Sequence, residues 1–114
     1  MKMKQLNSGI KRGSAETVIL ALLSESPRHG YEISRLIEEQ SGGVLCFTLA
    51  SLYPMLYSLE RHGWVEGRWE ITRGSRSRRK YHLTRAGRKQ LASLSEQWRL
   101  FFRALHRIVG VAHA

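Results

Sequence analysis

Apolar residues fall along this chain in two different periods, and the change of period divides it. Residues 15–24 are apolar almost all round, the pattern of a helix buried on every side, and Ser14 stands where an N-cap would. This stretch is expected to be the central helix of the core. Pro27 and Gly30 punctuate the chain before a second helix over about 29–40. There Ile33, Leu36 and Ile37 form an apolar face, while Glu32, Arg35, Glu38 and Glu39 point outward. His29-Gly30-Tyr31-Glu32 reads as the turn into that helix, with Gly30 permitting close approach and Glu32 folding back as a cap. Gly42 and Gly43 end it, and a few extended residues, 44–47, follow.

Thr48 is placed to cap a third helix that runs to His62 and stops at Gly63. Leu49, Leu52, Leu56 and Leu59 recur at helical spacing and form one inward stripe. Projection at about 100° per residue puts Ala50, Ser51, Pro54, Tyr57, Ser58 and Arg61 opposite that stripe, with Tyr53 and Met55 on its flanks. Pro54 removes a backbone hydrogen bond, and the exposed side is where the resulting bend is best accommodated. After Gly63 the period becomes two. Val65, Trp69 and Ile71 alternate with Glu66, Arg68 and Glu70 in a half-buried strand, and Tyr81 and Leu83 alternate with Lys80 and His82 in a second, shorter one. The polar loop between them, 72–78, makes the pair a hairpin whose tip projects into solvent. Trp64 and Trp69 are assigned to the packing of this unit.

Thr84 caps the last helix, which extends to about Val109, a rod of roughly 39 Å. Gly87 interrupts its first turn at a small propensity cost. Leu91, Leu94, Trp98, Phe101, Leu105 and Ile108 repeat at alternating spacings of three and four, and Phe102 and Val109 widen the seam. Such a rod outruns the small domain before it, so its far half needs an apolar partner, most simply the same helix of a second copy. The dimerisation residues are then Leu91, Leu94, Trp98, Phe101, Phe102, Leu105 and Ile108. Trp98 has two readings: it packs, or it lines a cleft between subunits in which a flat aromatic small molecule stacks as effector. The fold expected is mainly α with a small β-hairpin, a winged helix-turn-helix plus a long C-terminal dimerisation helix. Residues 1–13 form a basic N-terminal arm, 14–83 the winged domain and 84–114 the dimerisation helix.

At 114 residues the chain has the length of one domain. Charge sharpens the picture. Nineteen Lys and Arg stand against nine acidic residues, for a net charge of +10, which attracts a polyanion. The excess is concentrated: residues 71–95 contain no acid, and 73–89 hold eight Lys and Arg. Guanidinium groups on a projecting loop suit phosphate oxygens, and counterion release supplies affinity without base readout. The candidate DNA contacts are therefore Arg73, Arg76, Arg78, Arg79 and Lys80 of the wing. On the third helix they are Thr48, Ser51, Tyr53, Tyr57, Ser58 and Arg61, which reach base edges or phosphates in the major groove. Double-stranded DNA with a roughly palindromic operator is the expected partner of a two-fold dimer. Two alternatives remain open: a basic RNA-binding protein, and a protein-interaction module using the heptad seam.

Other chemistry is poorly supported. Cys46 is the single cysteine, which excludes a disulfide within one chain and fits a reducing cytoplasm. The five histidines show no metal-ligand spacing, and no nucleophile elbow or phosphate-cradling loop is present, so no metal, cofactor or catalytic residue is expected. The longest strongly apolar run, 17–23, is too short to span a bilayer, and no signal-peptide pattern opens the sequence.

These residues resemble the PadR family of transcriptional regulators. The similarity is carried by Pro27-Arg28-His29-Gly30-Tyr31-Glu32-Ile33, by Leu52-Tyr53-Pro54-Met55-Leu56 with Leu59-Glu60 and Gly63-Trp64-Val65, and by Arg79-Lys80-Tyr81-His82-Leu83-Thr84 with Gly87. Arg12-Gly13 and the stretch 98–109 are similar to the short members of the family. The resemblance implies a homodimeric winged-helix repressor whose C-terminal helix dimerises and supplies a Trp to an effector pocket. Ala50-Ser51 stand where the family usually has Gly-Thr, which keeps a hydroxyl but points to a different operator. The wing is richer in Arg than is usual, which implies a larger non-specific component of binding.

Overall fold

The apolar stretch around Ile19 and Leu20 folds as helix α1 (Ser8–Glu25) and forms the middle of the core. The computed structural model describes the backbone of residues 8–71 and 78–110, and the side chains from residue 14 onward within those spans. Ala15, Ile19, Leu20, Leu22 and Leu23 are all buried, so α1 meets neighbours on most sides, as its unbroken apolar pattern requires. The helix opens at Ser8, not at Ser14, which lies inside it. The apolar pattern marks the buried part of a helix and not its length, and neither Gly9 nor Gly13 stops this one.

Helix α2 (Gly30–Gln40) buries Ile33 and Ile37 against that core. Glu32 Oε1 accepts the backbone N–H of His29 at 3.1 Å and lies 2.8 Å from His29 Nδ1, which caps the helix as its sequence requires. These bonds, the backbone one first, hold the Glu32 carboxyl below the usual carboxylate range. A β-carbon at residue 30 would lie 2.8 Å from the Tyr53 hydroxyl, so glycine there lets α2 close on the next helix. That helix, α3 (Leu49–Arg61), is capped by Thr48, whose Oγ1 accepts the Ser51 N–H at 3.2 Å. Leu52, Leu56 and Leu59 are buried, and Pro54 lies on the exposed side. Leu49 departs from the expected stripe: in the first turn it overhangs the core and is exposed.

The β structure is larger than a hairpin. Strand β1 (Arg28–His29) pairs with the return strand β3 (Arg78–Leu83), which also pairs with β2 (Val65–Glu70), so three antiparallel strands stand in the order β1-β3-β2. The turn before α2 is thus also a sheet edge, and two residues are too few to leave a period in the sequence. No strand forms over 44–47. β2 (Val65–Glu70) and β3 (Arg78–Leu83) pair from Val65↔Leu83 to Glu70↔Arg78, so Arg78 belongs to the strand and not to the loop. Val65 and Tyr81 are buried, but Trp69 and Ile71 are exposed, contrary to the half-buried alternation expected of them. The hairpin reaches past the edge of the core by Trp69, where among the described residues the Arg79 guanidinium is the group over the ring.

Helix α4 (Arg85–Leu105) continues into one π-helical turn, His106–Gly110. Thr84 Oγ1 accepts the Gly87 N–H at 3.0 Å and donates to the Gly63 carbonyl at 2.6 Å, fixing the start of α4 to the end of α3. Gly87 is buried, and a β-carbon there would collide with the Trp64 carbonyl and the Leu83 side chain. It is therefore a contact point, and its propensity cost is the smaller effect. Gly87→Ala should destabilise the fold by about 1–3 kcal/mol, although alanine favours helix by about 1 kcal/mol over glycine. A higher urea midpoint for the variant would refute the collision.

Candidate nucleic-acid interface

The flank of α3 beside its buried stripe meets the hairpin through an ion pair. Arg79 donates from its two terminal nitrogens to Glu60, at 3.1 Å to Oε1 and 2.7 Å to Oε2. Glu60 Oε2 also accepts the Gly67 N–H at 3.1 Å, and the same guanidinium donates to the Gly67 carbonyl at 3.2 Å. A β-carbon on residue 67 would lie 2.7 Å from that guanidinium, so only glycine leaves it room. The Glu60 bond, opposed by partial burial, raises the Arg79 pKa further above its already high value. Both side chains are about three-quarters covered. Arg79 is thus held by a carboxylate, a role its place in a basic run hides.

The other candidate residues divide clearly. Thr48, Ser51, Tyr57 and Arg61 are exposed along α3, and Arg78 is exposed at the start of β3. Ser58 is half-buried, and its carbonyl lies 2.7 Å from His62 Nδ1. Tyr53 is half-buried against Gly30, with its ring 6.3 Å from that of Tyr57, so it packs more than it projects. Lys80 Nζ lies 3.6 Å from Glu70 on the sheet face turned away from α3. Arg73 and Arg76 lie outside the described residues.

Electrostatics tie the wing to the domain. The His29 side chain is nearly buried between Glu32 and Glu70, with Nε2 3.5 Å from the latter. Burial, then nearby Arg68, pushes His82 below the usual imidazole value. Burial pushes the Tyr81 phenol up, and Arg79 opposes the rise. Sequence reasoning missed Glu60 and Gly67 as parts of this site. The available signal was a glycine inside a strand, which often marks close approach by another group.

The seam of α4 is divided. Leu91 and Leu94 pack against the domain's own core, and Trp98 Nε1 donates to Thr17 Oγ1 of α1 at 2.8 Å. Trp98 also heads an aromatic cluster, with ring centroids 5.8 Å from Phe101 and 5.5 Å from Phe102. Phe101, Phe102, Leu105, Ile108 and Val109 are exposed. A shallow apolar hollow of about 200 Å³ lies between α1 and α2, lined by Val18, Leu22, Leu36 and Leu45 among others, and Trp98 takes no part in it. Among the described residues no cluster could hold a metal ion, and no helix is long and apolar enough to cross a membrane.

Three helices, a three-stranded wing and a long terminal helix define the winged helix-turn-helix class. The sequence profile described as the PadR-like family of transcriptional regulators matches residues 19–93. The chain belongs to that family and is a transcriptional regulator rather than an enzyme. It is similar to an uncharacterized protein of Lysinibacillus sphaericus, 30% identical over 93 residues that cover 82% of this chain and 85% of that one. Among solved structures it is similar to a transcriptional regulator from Clostridium thermocellum, with a TM-score of 0.82 and 27% identity over 90% of this chain and 96% of the other. A PadR-like transcription factor from Bacteroides fragilis gives a TM-score of 0.75 and 25% identity over 89% of this chain and 95% of the other.

The Glu60 link is open to direct measurement. Glu60→Gln keeps the shape but loses the charge, and should cost about 1 kcal/mol of stability, given the partial exposure of the pair. Amide exchange at Gly67 should quicken more than exchange in the α1 core. Unchanged Gly67 protection in the variant would mean that strand pairing alone fixes the wing.

Proposed function

We propose that the protein is a dimeric, sequence-specific DNA-binding repressor of the cytoplasm, released by a small-molecule effector. The observation that carries this reading is the joining of α3, whose outer face is polar, to the basic hairpin through Glu60 on its flank and Arg79. It supports a helix and a wing that approach a duplex as one body. In this reading α3 enters the major groove, with Ser51, Tyr57, Ser58 and Arg61 at base edges or phosphates and the Thr48 end offering free N–H groups to a phosphate. Arg73, Arg76, Arg78 and Lys80 neutralise backbone charge, while Arg79 positions the wing. Two-fold symmetry then calls for a roughly palindromic operator, with half-sites about one helical turn apart.

The exposed end of α4 supports a second copy as partner. Phe101, Phe102, Leu105 and Ile108 form an apolar strip of the kind that a monomer rarely leaves bare. Trp98, at the boundary between the covered and the bare halves, is the residue nearest to any cleft such a dimer would enclose, and a flat aromatic compound is the effector chemistry that suits it.

Salt dependence tests the wing. With about three phosphates neutralised per protomer, the dimer's log K against log salt should have a slope of about −5, and Arg76→Ala with Arg78→Ala should flatten it to about −2. A slope near zero in the wild type would remove the wing from the interface. Ser51→Ala or Tyr57→Ala should instead shift the preferred sequence in selection from a random duplex library. The dimer is tested separately: Phe102→Glu with Leu105→Glu should sediment as a monomer at micromolar concentration and bind a palindromic site roughly a hundredfold more weakly. A wild type that is already monomeric would favour a protein-interaction module with another partner.

A further inference from the structure

Two of the three tryptophans are accounted for by packing. Trp64 stacks on His62 at 4.5 Å and packs against the core, and Trp98 bonds to Thr17. Trp69 is different. It is 68% exposed, and Ile71, next in the same alternation, is 87% exposed. Its one ring contact among the described residues is the Arg79 guanidinium, 5.7 Å from the ring centroid, which lies equally far from Tyr81. An indole and an isoleucine left in water forgo a burial gain of roughly 25 cal/mol per Å² of apolar surface.

Their position says what could cover them. The register Val65↔Leu83, Gly67↔Tyr81, Trp69↔Arg79 puts Trp69 in the row whose inner members are buried and whose middle is bonded to Glu60 of α3. Trp69 therefore lies on the α3 side of the wing. The strand's carboxylates, Glu66 and Glu70, stand in the opposite row. Glu60 is the acid on the α3 side, and Arg79 neutralises it. A polyanion lying between α3 and the wing thus meets an apolar plate in a row without a free carboxylate, while Arg68, Arg78 and Lys80 stand with Glu66 and Glu70 in the opposite row of the same thin hairpin. Duplex DNA has the complementary surface, since its charged phosphates alternate with deoxyribose rings whose faces are apolar.

We infer that Trp69, with Ile71 beside it, is a DNA contact that lies against the deoxyribose wall of the groove where the wing docks. The Arg79 guanidinium, fixed by Glu60, sets the angle of the indole. This contact rests on the DNA-binding reading above and adds affinity that does not depend on charge.

The test uses the full chain and a short labelled mixed-sequence duplex, titrated by fluorescence anisotropy at several salt concentrations. Trp69→Ala should weaken binding about tenfold at every salt concentration and leave the slope unchanged, because an uncharged side chain releases no counterions. Trp69→Phe should retain most of the affinity. Duplex should quench tryptophan emission in the wild type, and that quench should disappear in Trp69→Ala. Circular dichroism and the thermal midpoint should stay the same, since the indole is mostly in solvent.

Wild-type affinity in Trp69→Ala would overturn the inference, as would a slope that flattens together with the affinity, which would place the effect on Arg79. Tighter, Trp69-dependent binding to a single strand would make the indole a base-stacking platform and overturn it as well. So would a changed sedimentation coefficient of the free variant, which would assign the plate to a second copy. Arg78→Ala in parallel separates the two claims. If it flattens the slope while Trp69→Ala does nothing, only the indole contact fails. If the wild type shows no salt-dependent duplex binding, the parent reading fails too.

Discussion

The carboxylate of Glu60 constrains more of this structure than any other single group. A two-stranded hairpin is marginal alone and has no fixed angle to the body it springs from. Here its waist is held from one side by a planar, two-bond guanidinium–carboxylate contact and from the other by pairing of β3 with β1. Planar pairs of this kind are directional, as apolar packing is not. Gly67 is part of the same arrangement, since its backbone bonds both partners and its missing side chain makes the space between them. Tyr81, buried at the centre of the middle strand, supplies the apolar anchor beneath.

A second constraint acts at Trp98. On one side of it α4 packs on the domain's own core, and on the other its apolar strip is exposed among the described residues. The bond to Thr17 pins the crossover point to α1, and Thr84 pins the other end to the last turn of α3.

The sequence was most informative where one physical cause acts over many residues. The helical stripe of α3, the Thr48 and Thr84 caps and the Glu32 cap were all legible, because a buried face or a bonded helix end demands particular residue types at fixed spacing. Reading failed where the cause is tertiary. Ser14 has the chemistry of a cap, but nothing local required the helix to begin there. β1 is two residues long and exists only because β3 lies alongside. Trp69 obeys the strand alternation, and alternation cannot say where the core ends. Arg79 looks like its neighbours Arg78 and Lys80 in the sequence, and only the fold brings Glu60, nineteen residues away, within 2.7 Å.

That last case bears on how charge should be read in a basic protein. Net charge counts ions, while pairing decides which of them a polyanion can use. Glu66–Arg68 and Glu70–Lys80 are also ion pairs, but they are exposed, and pairs of that kind are held by about 1 kcal/mol or less. A phosphate can compete for Arg68 and Lys80 at little cost. Arg79 differs because surrendering it would leave Glu60 and the Gly67 carbonyl without their shared donor in a half-buried corner. The densest basic run in the chain therefore contains two kinds of cation. Among its described residues, Arg78 is exposed and Lys80 is loosely paired, while Arg79 is committed to fixing the hairpin against α3.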